Sequence, residues 1–232
     1  MKRLVVILAA AAGFAAASPA AANVLVVRSS GPSAKSYPPG YSFPDAAQVS
    51  LRPGDVMIVL GGQATRTLRG PGTFPVSAGA TKLAMASGAR RGRFSAMRAG
   101  EVPPAPSVWH LDVSQSGTFC VPDGGKVQLW RADASEKVSL TLAPATGAAR
   151  TVEWPAGKDV LDWPKELPVA GDAAYEVRSS GSADTAKLVF ASVGAAPKDE
   201  QGLAEALIAK GCRNQLDTLL ETVPDEGSAG TH

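Results

Sequence analysis

From residue 107 onward the chain is divided into strand-length runs by turn residues, and this rhythm restricts the fold more than any other feature of the sequence. Ser107 to Val113, Thr118 to Val121, Lys126 to Arg131, Lys137 to Leu142, Arg150 to Trp154, Asp159 to Trp163, Tyr175 to Ser179 and Lys187 to Val193 are each strand-sized, with Gly, Pro, Asp and Ser between them. Val138-Ser139-Leu140-Thr141-Leu142 is the clearest case. Side chains alternate across a strand, so its apolar side is expected to face a core and its hydroxyls to face water. The spacing predicts a β-sandwich over residues 107–197. The immunoglobulin cysteine pattern is missing, so the expectation concerns architecture and not ancestry.

The N-terminal part predicts a second, smaller β unit over residues 23–78. Val24 to Arg28 is an apolar strand, and Ser29 to Pro44 is a Ser/Gly/Pro/Tyr-rich loop. Arg52-Pro53-Gly54-Asp55 is a turn, Val56 to Leu60 a buried strand, and Gly61-Gly62 a second turn. Ala64 to Arg69 alternates until Gly70-Pro71-Gly72 stops it, and Thr73 to Val76 returns. Together, Gly54-Asp55-Val56, Gly61-Gly62 and Thr67-Leu68-Arg69-Gly70-Pro71-Gly72 resemble the pattern of FecR-like periplasmic β modules. The likeness covers about fifty residues and implies a small β fold used for interaction in the envelope of Gram-negative bacteria, with no catalytic residue. Signal-transducing members of that family carry a membrane helix and a cytoplasmic tail, and this chain shows neither.

Between the two units, residues 79–106 are rich in Ala, Gly and Arg and end in Pro103-Pro104-Ala105-Pro106, the composition of a linker. At the other end, Asp199 to Thr222 predicts one amphipathic helix stopped by Pro224. Ile208, Cys212, Leu216, Leu219, Leu220 and Val223 form its apolar stripe. Residues 198–223 are expected to pack on the sandwich, with a disordered tail over 224–232. The chain has two cysteines, Cys120 and Cys212, and they are expected to form a disulfide. Closing a loop of about 93 residues is worth roughly 4 to 5 kcal/mol by the chain-entropy estimate. Neither a CxxC spacing nor nearby histidines suggest redox or metal chemistry.

The oxidising compartment that this bond requires agrees with the start of the chain. Lys2 and Arg3 precede an apolar run from Leu4 to Ala17, and Ser18-Pro19-Ala20-Ala21-Ala22 offers a small-residue cleavage site. Residues 1–22 therefore read as a cleavable signal peptide, cut after Ala22, which places the mature protein in the periplasm or outside the cell. The apolar run is shorter than the roughly 20 residues of a membrane span. Loss of the leader takes two positive charges and leaves 21 basic and 21 acidic residues. Their placement is uneven, with residues 23–98 at +8 and residues 99–232 at −8.

That asymmetry is explained by docking of the two halves, by their separate solvation, or by attraction to an anionic envelope partner at Arg66, Arg69, Arg90, Arg91, Arg93 and Arg98. Nucleic acid is not expected, since the chain is exported and carries no recognition motif. Of the two histidines only His110 lies within a predicted element, and Gly-x-Ser-x-Gly and Ser-x-x-Lys signatures are absent. No cofactor motif or metal-ligand spacing is present either. Asp159 and Asp162 are the carboxylates available for acid–base work on sugars, although surface carboxylates usually serve only solvation. Trp130 is the best candidate for an exposed stacking residue, because Val127 and Leu129 occupy the other face of its strand. The reading is a non-catalytic interaction protein of the envelope. The alternatives are a carboxylate-based hydrolase of envelope carbohydrate and a structural accessory subunit.

Overall fold

The structure, a computed structural model, describes residues 23–62, 64–77, 105–169 and 171–229. The expected leader, most of the expected linker, and Arg90, Arg91, Arg93 and Arg98 lie outside those residues. The first unit contains β1 (Asn23–Ser30), β2 (Ser42–Pro44), β3 (Gln48–Leu51), β4 (Val56–Gly61), β5 (Ala64–Arg69) and β6 (Gly72–Pro75). The second contains β7 (His110–Asp112), β8 (Gly117–Val121), β9 (Gln128–Trp130), β10 (Val138–Pro144), β11 (Arg150–Trp154), β12 (Val160–Asp162), β13 (Ala174–Ser179) and β14 (Thr185–Ser192). Two helices, α1 (Glu200–Lys210) and α2 (Arg213–Thr222), and a last strand, β15 (Asp225–Ala229), follow. The protein is mainly β, and among the described residues no helix is long and apolar enough to cross a membrane.

The second unit is built as two facing sheets, with orders β11-β10-β13-β14-β8 and β12-β9-β7. Leu140, Leu142, Val177, Leu188 and Phe190 from the first sheet meet Leu111, Leu129 and Trp163 in one core. On the outer face Ser139 Oγ donates to Glu153 at 2.9 Å, and the Thr141 and Thr151 hydroxyls lie 3.1 Å apart. Phe190 sits edge-on to Phe119, Trp163 and Tyr175, with centroids 5.0 to 6.1 Å away. The polar ends of the large aromatics are satisfied locally: Trp163 Nε1 donates to Leu167 O, Trp154 Nε1 to Lys158 O, and the Tyr175 hydroxyl to Pro168 O.

The first unit is a sheet of order β15-β5-β4-β1-β2, with the pair β3-β6 against one face. Val24 and Val26 of β1 and Met57 and Val59 of β4 join Val49 and Leu51 on that side. Leu25, Val27 and Leu60 point the opposite way, into a cluster with the helices. The unbroken run Val24-Leu25-Val26-Val27 is thus explained: β1 is covered on both faces, and a strand in that position needs no polar side.

The single helix expected over 199–222 is two helices. Asp199 caps α1 by accepting from the Gly202 amide at 2.7 Å. Gly211 ends it in the left-handed region at φ 73° and donates to Ile208 O, after which Cys212 starts α2. The chain turns here because a left-handed residue cannot continue a helix, and only glycine adopts that conformation without strain.

The resulting helical hairpin lies between the two units. Ala204, Leu207, Leu216 and Leu219 pack with Leu25, Val27 and Leu60 of the first sheet and with Cys120 of β8. Cys120 and Cys212 are disulfide-bonded, their Cα atoms 5.9 Å apart. Beside the bond, Gln215 is 2% exposed. Its Oε1 accepts from the Cys120 amide at 2.5 Å, and its Nε2 donates to Cys120 O at 3.0 Å and Val108 O at 2.8 Å. β8 is the last strand of its sheet, and the Gln215 amide serves its free edge as a neighbouring strand would.

The tail expected to be disordered is ordered as far as Ala229. β15 pairs in parallel with β5, so the end of the chain completes the sheet begun at its start. A buried amide and carbonyl left without partners cost about 1 to 3 kcal/mol. Gln215→Ala is therefore expected to lower the unfolding free energy by about 2 kcal/mol. Urea titration of the oxidised protein measures it, and a loss below about 0.5 kcal/mol would show that water replaces the side chain without penalty.

Candidate functional site

Of the basic residues singled out from sequence, the structure brings Arg66 and Arg69 onto β5. Alternation along this strand divides its side chains between two clefts, one on each face of the sheet. Thr65 and Thr67 lie opposite Leu60 and Ile58 of β4, on the face toward the helices. With Arg28, Asp217 and Asp225 they line a cleft of about 180 Å³. Ala64 and Arg66 face the other way and, with Asp45, Ser77 and Glu226, line a cleft of about 270 Å³. Arg69, at the end of the strand, is exposed.

Arg28 reaches the first cleft because β1 is bulged. Val26 pairs with Val59 and Arg28 with Ile58, so Val27 has no partner of its own in the ladder. In a regular ladder Arg28 would lie opposite Met57, on the face of Val24 and Val26 that packs into the core. The bulge turns it toward α2, where its guanidinium bonds the Asp217 carboxylate. Both side chains are about half exposed, so the pair contributes at most about 1 kcal/mol and serves mainly to orient.

Arg66 is held differently. Its Nη1 donates to Pro75 O at 2.9 Å and to Ser77 O at 3.0 Å, which fixes the chain leaving β6. Both acceptors are neutral, so the guanidinium keeps its charge beside Asp45 and Glu226. Arg131 of the second unit shows what a purely structural arginine looks like here. It is 7% exposed, donates to Lys158 O, Glu136 O and Pro155 O, and lies 5.0 Å over the Trp154 ring.

Among the described residues the outer edge of β5 is covered only by β15. The Thr65 amide and hydroxyl both donate to Pro224 O, at 2.8 and 3.2 Å. Asp225 then pairs with Thr65, Ser228 with Thr67 and Ala229 with Leu68, with a shift of register between Asp225 and Ser228. At the shift the Gly227 amide donates to Asp225 Oδ1 at 3.0 Å. Asp225, Glu226 and Gly227 are exposed, so the segment buries little apolar surface and is held mainly through its backbone.

Asp55 secures the opposite end of β5. It is 2% exposed and accepts from the Ser33 amide at 2.8 Å and the Arg52 amide at 2.5 Å, while its carbonyl accepts from the Gly70 amide next to Arg69. A side chain at Gly31 would strike this carboxylate, since its Cβ would lie 2.5 Å from Oδ1. Burial raises the Asp55 carboxyl, but the Ser33 hydroxyl and amide, the Arg52 amide and the Arg52 charge together outweigh it and hold the group below its ordinary 3.8.

The remaining candidates do not converge on a site. Trp130 is not a stacking platform. It is 4% exposed because β9 is the central strand of its sheet and is covered on both faces, Leu129 being fully buried. Asp159 and Asp162 are exposed, and Asp162 accepts from Gln128 Nε2 at 3.1 Å. His110 is half-buried in β7, with Nδ1 enclosed and without a hydrogen-bond partner among the described residues. Also among the described residues, no group of three or more His, Cys, Asp or Glu is disposed to hold a metal ion. Sequence reading missed Arg28, whose direction depends on a bulge, and β15, whose polar residues give no strand signal. In comparison with known proteins, the sequence matches no family model and no curated protein.

The lowered Asp55 carboxyl predicts a dependence on acid. Its contribution to stability is complete well above 3.8 and is lost as pH falls through 3.8 toward the folded value, because the unfolded chain takes up the proton first. Asp55→Asn is expected to be less stable than the parent at neutral pH and to lose less stability on acidification from about pH 5 to pH 3. Thermal unfolding across that range measures both, and equal pH slopes would contradict the assignment.

Proposed function

We propose that the chain is a non-catalytic binding protein of the cell envelope, exported by its N-terminal leader, oxidised in its final compartment, and FecR-like in its first unit. The disulfide between Cys120 and Cys212 supports an oxidising location. The FecR-like reading rests on the sequence pattern that includes Gly54-Asp55 and Gly70, residues at which Asp55 joins the turn entering β4 to the turn leaving β5. One observation carries the binding role: among the described residues the edge of β5, with Arg66 beneath it and Arg69 at its end, is covered only by β15, whose Asp225, Glu226 and Gly227 are exposed. A sheet edge of this kind is a template for another chain. The second unit and the helical hairpin are the rigid support that presents it.

The hydrolase reading has one observation in its favour, since Asp217, Glu221 and Asp225 share the first cleft. Asp217, however, is bonded to Arg28. A photo-crosslinking residue in place of Arg69, in protein exported by living cells, is expected to capture an envelope component, whereas the same residue in place of Thr151 on the outer face of the sandwich is not. Capture from position 151 alone would contradict the proposal. Release of reducing ends from envelope glycan, abolished by Glu221→Gln, would establish the hydrolase instead.

A further inference from the structure

We propose that the edge of β5 is a docking groove for an extended peptide strand carrying an acidic residue, and that Asp225–Ala229 is the chain's own occupant of that groove. The inference rests on the binding role above and specifies the partner's chemistry.

The tail already shows the features of a bound peptide. Its backbone pairs in parallel with β5, and successive side chains enter opposite clefts, Asp225 on the side of Arg28 and Glu226 on the side of Arg66. Recognition by strand addition has this form: main-chain hydrogen bonds hold the peptide, and alternate side chains enter pockets that select it. The two clefts differ in what they select. Arg28 is engaged by Asp217, whereas among the described residues Arg66 is bonded to the carbonyl oxygens of Pro75 and Ser77, which leaves its guanidinium to face an anion at the position of Glu226. The charge of the whole chain agrees, for the basic segment 23–98 contains the groove and the acidic remainder supplies the tail.

The groove does not depend on the tail for its existence. β5 is paired along its full length with β4, and Leu68 is fully buried beneath it. The tail is joined to α2 by Val223 and Pro224 alone, and Val223 is already extended at φ −80° and ψ 134°. Asp225, Glu226 and Gly227 are exposed, so displacing them costs little apolar burial, and the tail is an occupant that a better-matched strand replaces.

The test uses the full chain and fluorescein-labelled peptides. The probe copies Pro224 to His232, and a second peptide carries lysine in place of the glutamate that corresponds to Glu226. The proteins are the parent and the full-length variant Ala229→Pro, which removes from the resident strand the amide that the parallel register aims at Thr67 O and so weakens its pairing. Fluorescence anisotropy is expected to show the probe binding Ala229→Pro at least about tenfold more tightly than the parent, a difference of about 1.4 kcal/mol. The lysine peptide is expected to bind at least tenfold more weakly than the probe, and Arg66→Gln to reduce probe affinity by a similar factor. The peptide substitution leaves the protein untouched, so it decides the question even if Arg66→Gln fails to fold.

Equal binding of the two peptides, or no binding to either protein at millimolar probe, would overturn the inference. If the probe fails while position 69 still captures an envelope component, the binding role stands and only the strand-docking proposal falls.

Discussion

The free edge of β8 is the constraint on which the arrangement of the molecule depends. An edge strand presents unpaired backbone groups, and here they are met by one glutamine side chain beside a disulfide to the same helical hairpin. Gln215 satisfies the Cys120 amide and carbonyl, the disulfide anchors the start of α2, and the hairpin is thereby fixed against the sandwich. Its other side is apolar, and the first sheet covers it with Leu25, Val27 and Leu60. The two β units are therefore joined through an intervening helical layer. The charge asymmetry of the sequence contributes one described ion pair across this layer, Arg28 with Asp217. At half exposure that pair orients α2, while the apolar cluster supplies the cohesion.

The same layer determines what the first sheet presents to solvent. Covering one face of β1 with helices and the other with β3-β6 leaves only the sheet's margins open, and the end of α2 delivers the last strand to one of them. The bulge at Val27 acts in the same place, since it turns Arg28 from the core to the cleft beneath β15. The candidate site is thus a consequence of how the units are assembled, with residues from the first third and from the last part of the chain.

Strand positions were legible in the sequence because they depend on local chemistry. Turn residues at Arg52-Pro53-Gly54-Asp55 and Gly70-Pro71-Gly72 bound strands observed within one or two residues of their expected limits, and the alternation in Val138 to Leu142 gave the correct face. The start of a helix at Asp199 was legible for the same reason, and the disulfide was legible because the chain has two cysteines. What escaped depends on tertiary partners. Trp130 follows the pattern of a half-exposed strand but lies in one covered on both sides. The apolar stripe continues through Gly211 although the backbone does not, because both helices face the same cluster. Asp225 to Ala229 has no apolar residue large enough to mark a strand, and is ordered by the edge it meets. Arg28 is aimed by a bulge that only the pairing of β1 with β4 reveals.

The central claim is that the helical hairpin joins both β units into one cooperative body through its hold on β8. Hydrogen exchange followed by mass spectrometry, on the parent and on the double variant Cys120→Ser with Cys212→Ser, tests it most directly. Loss of the bond is expected to reduce amide protection in α2 and β8 and, by a comparable factor, in β1 and β4, neither of which carries a cysteine. Protection lost in α2 and β8 but unchanged in β1 and β4 would show that the first sheet stands on its own, and would contradict the account.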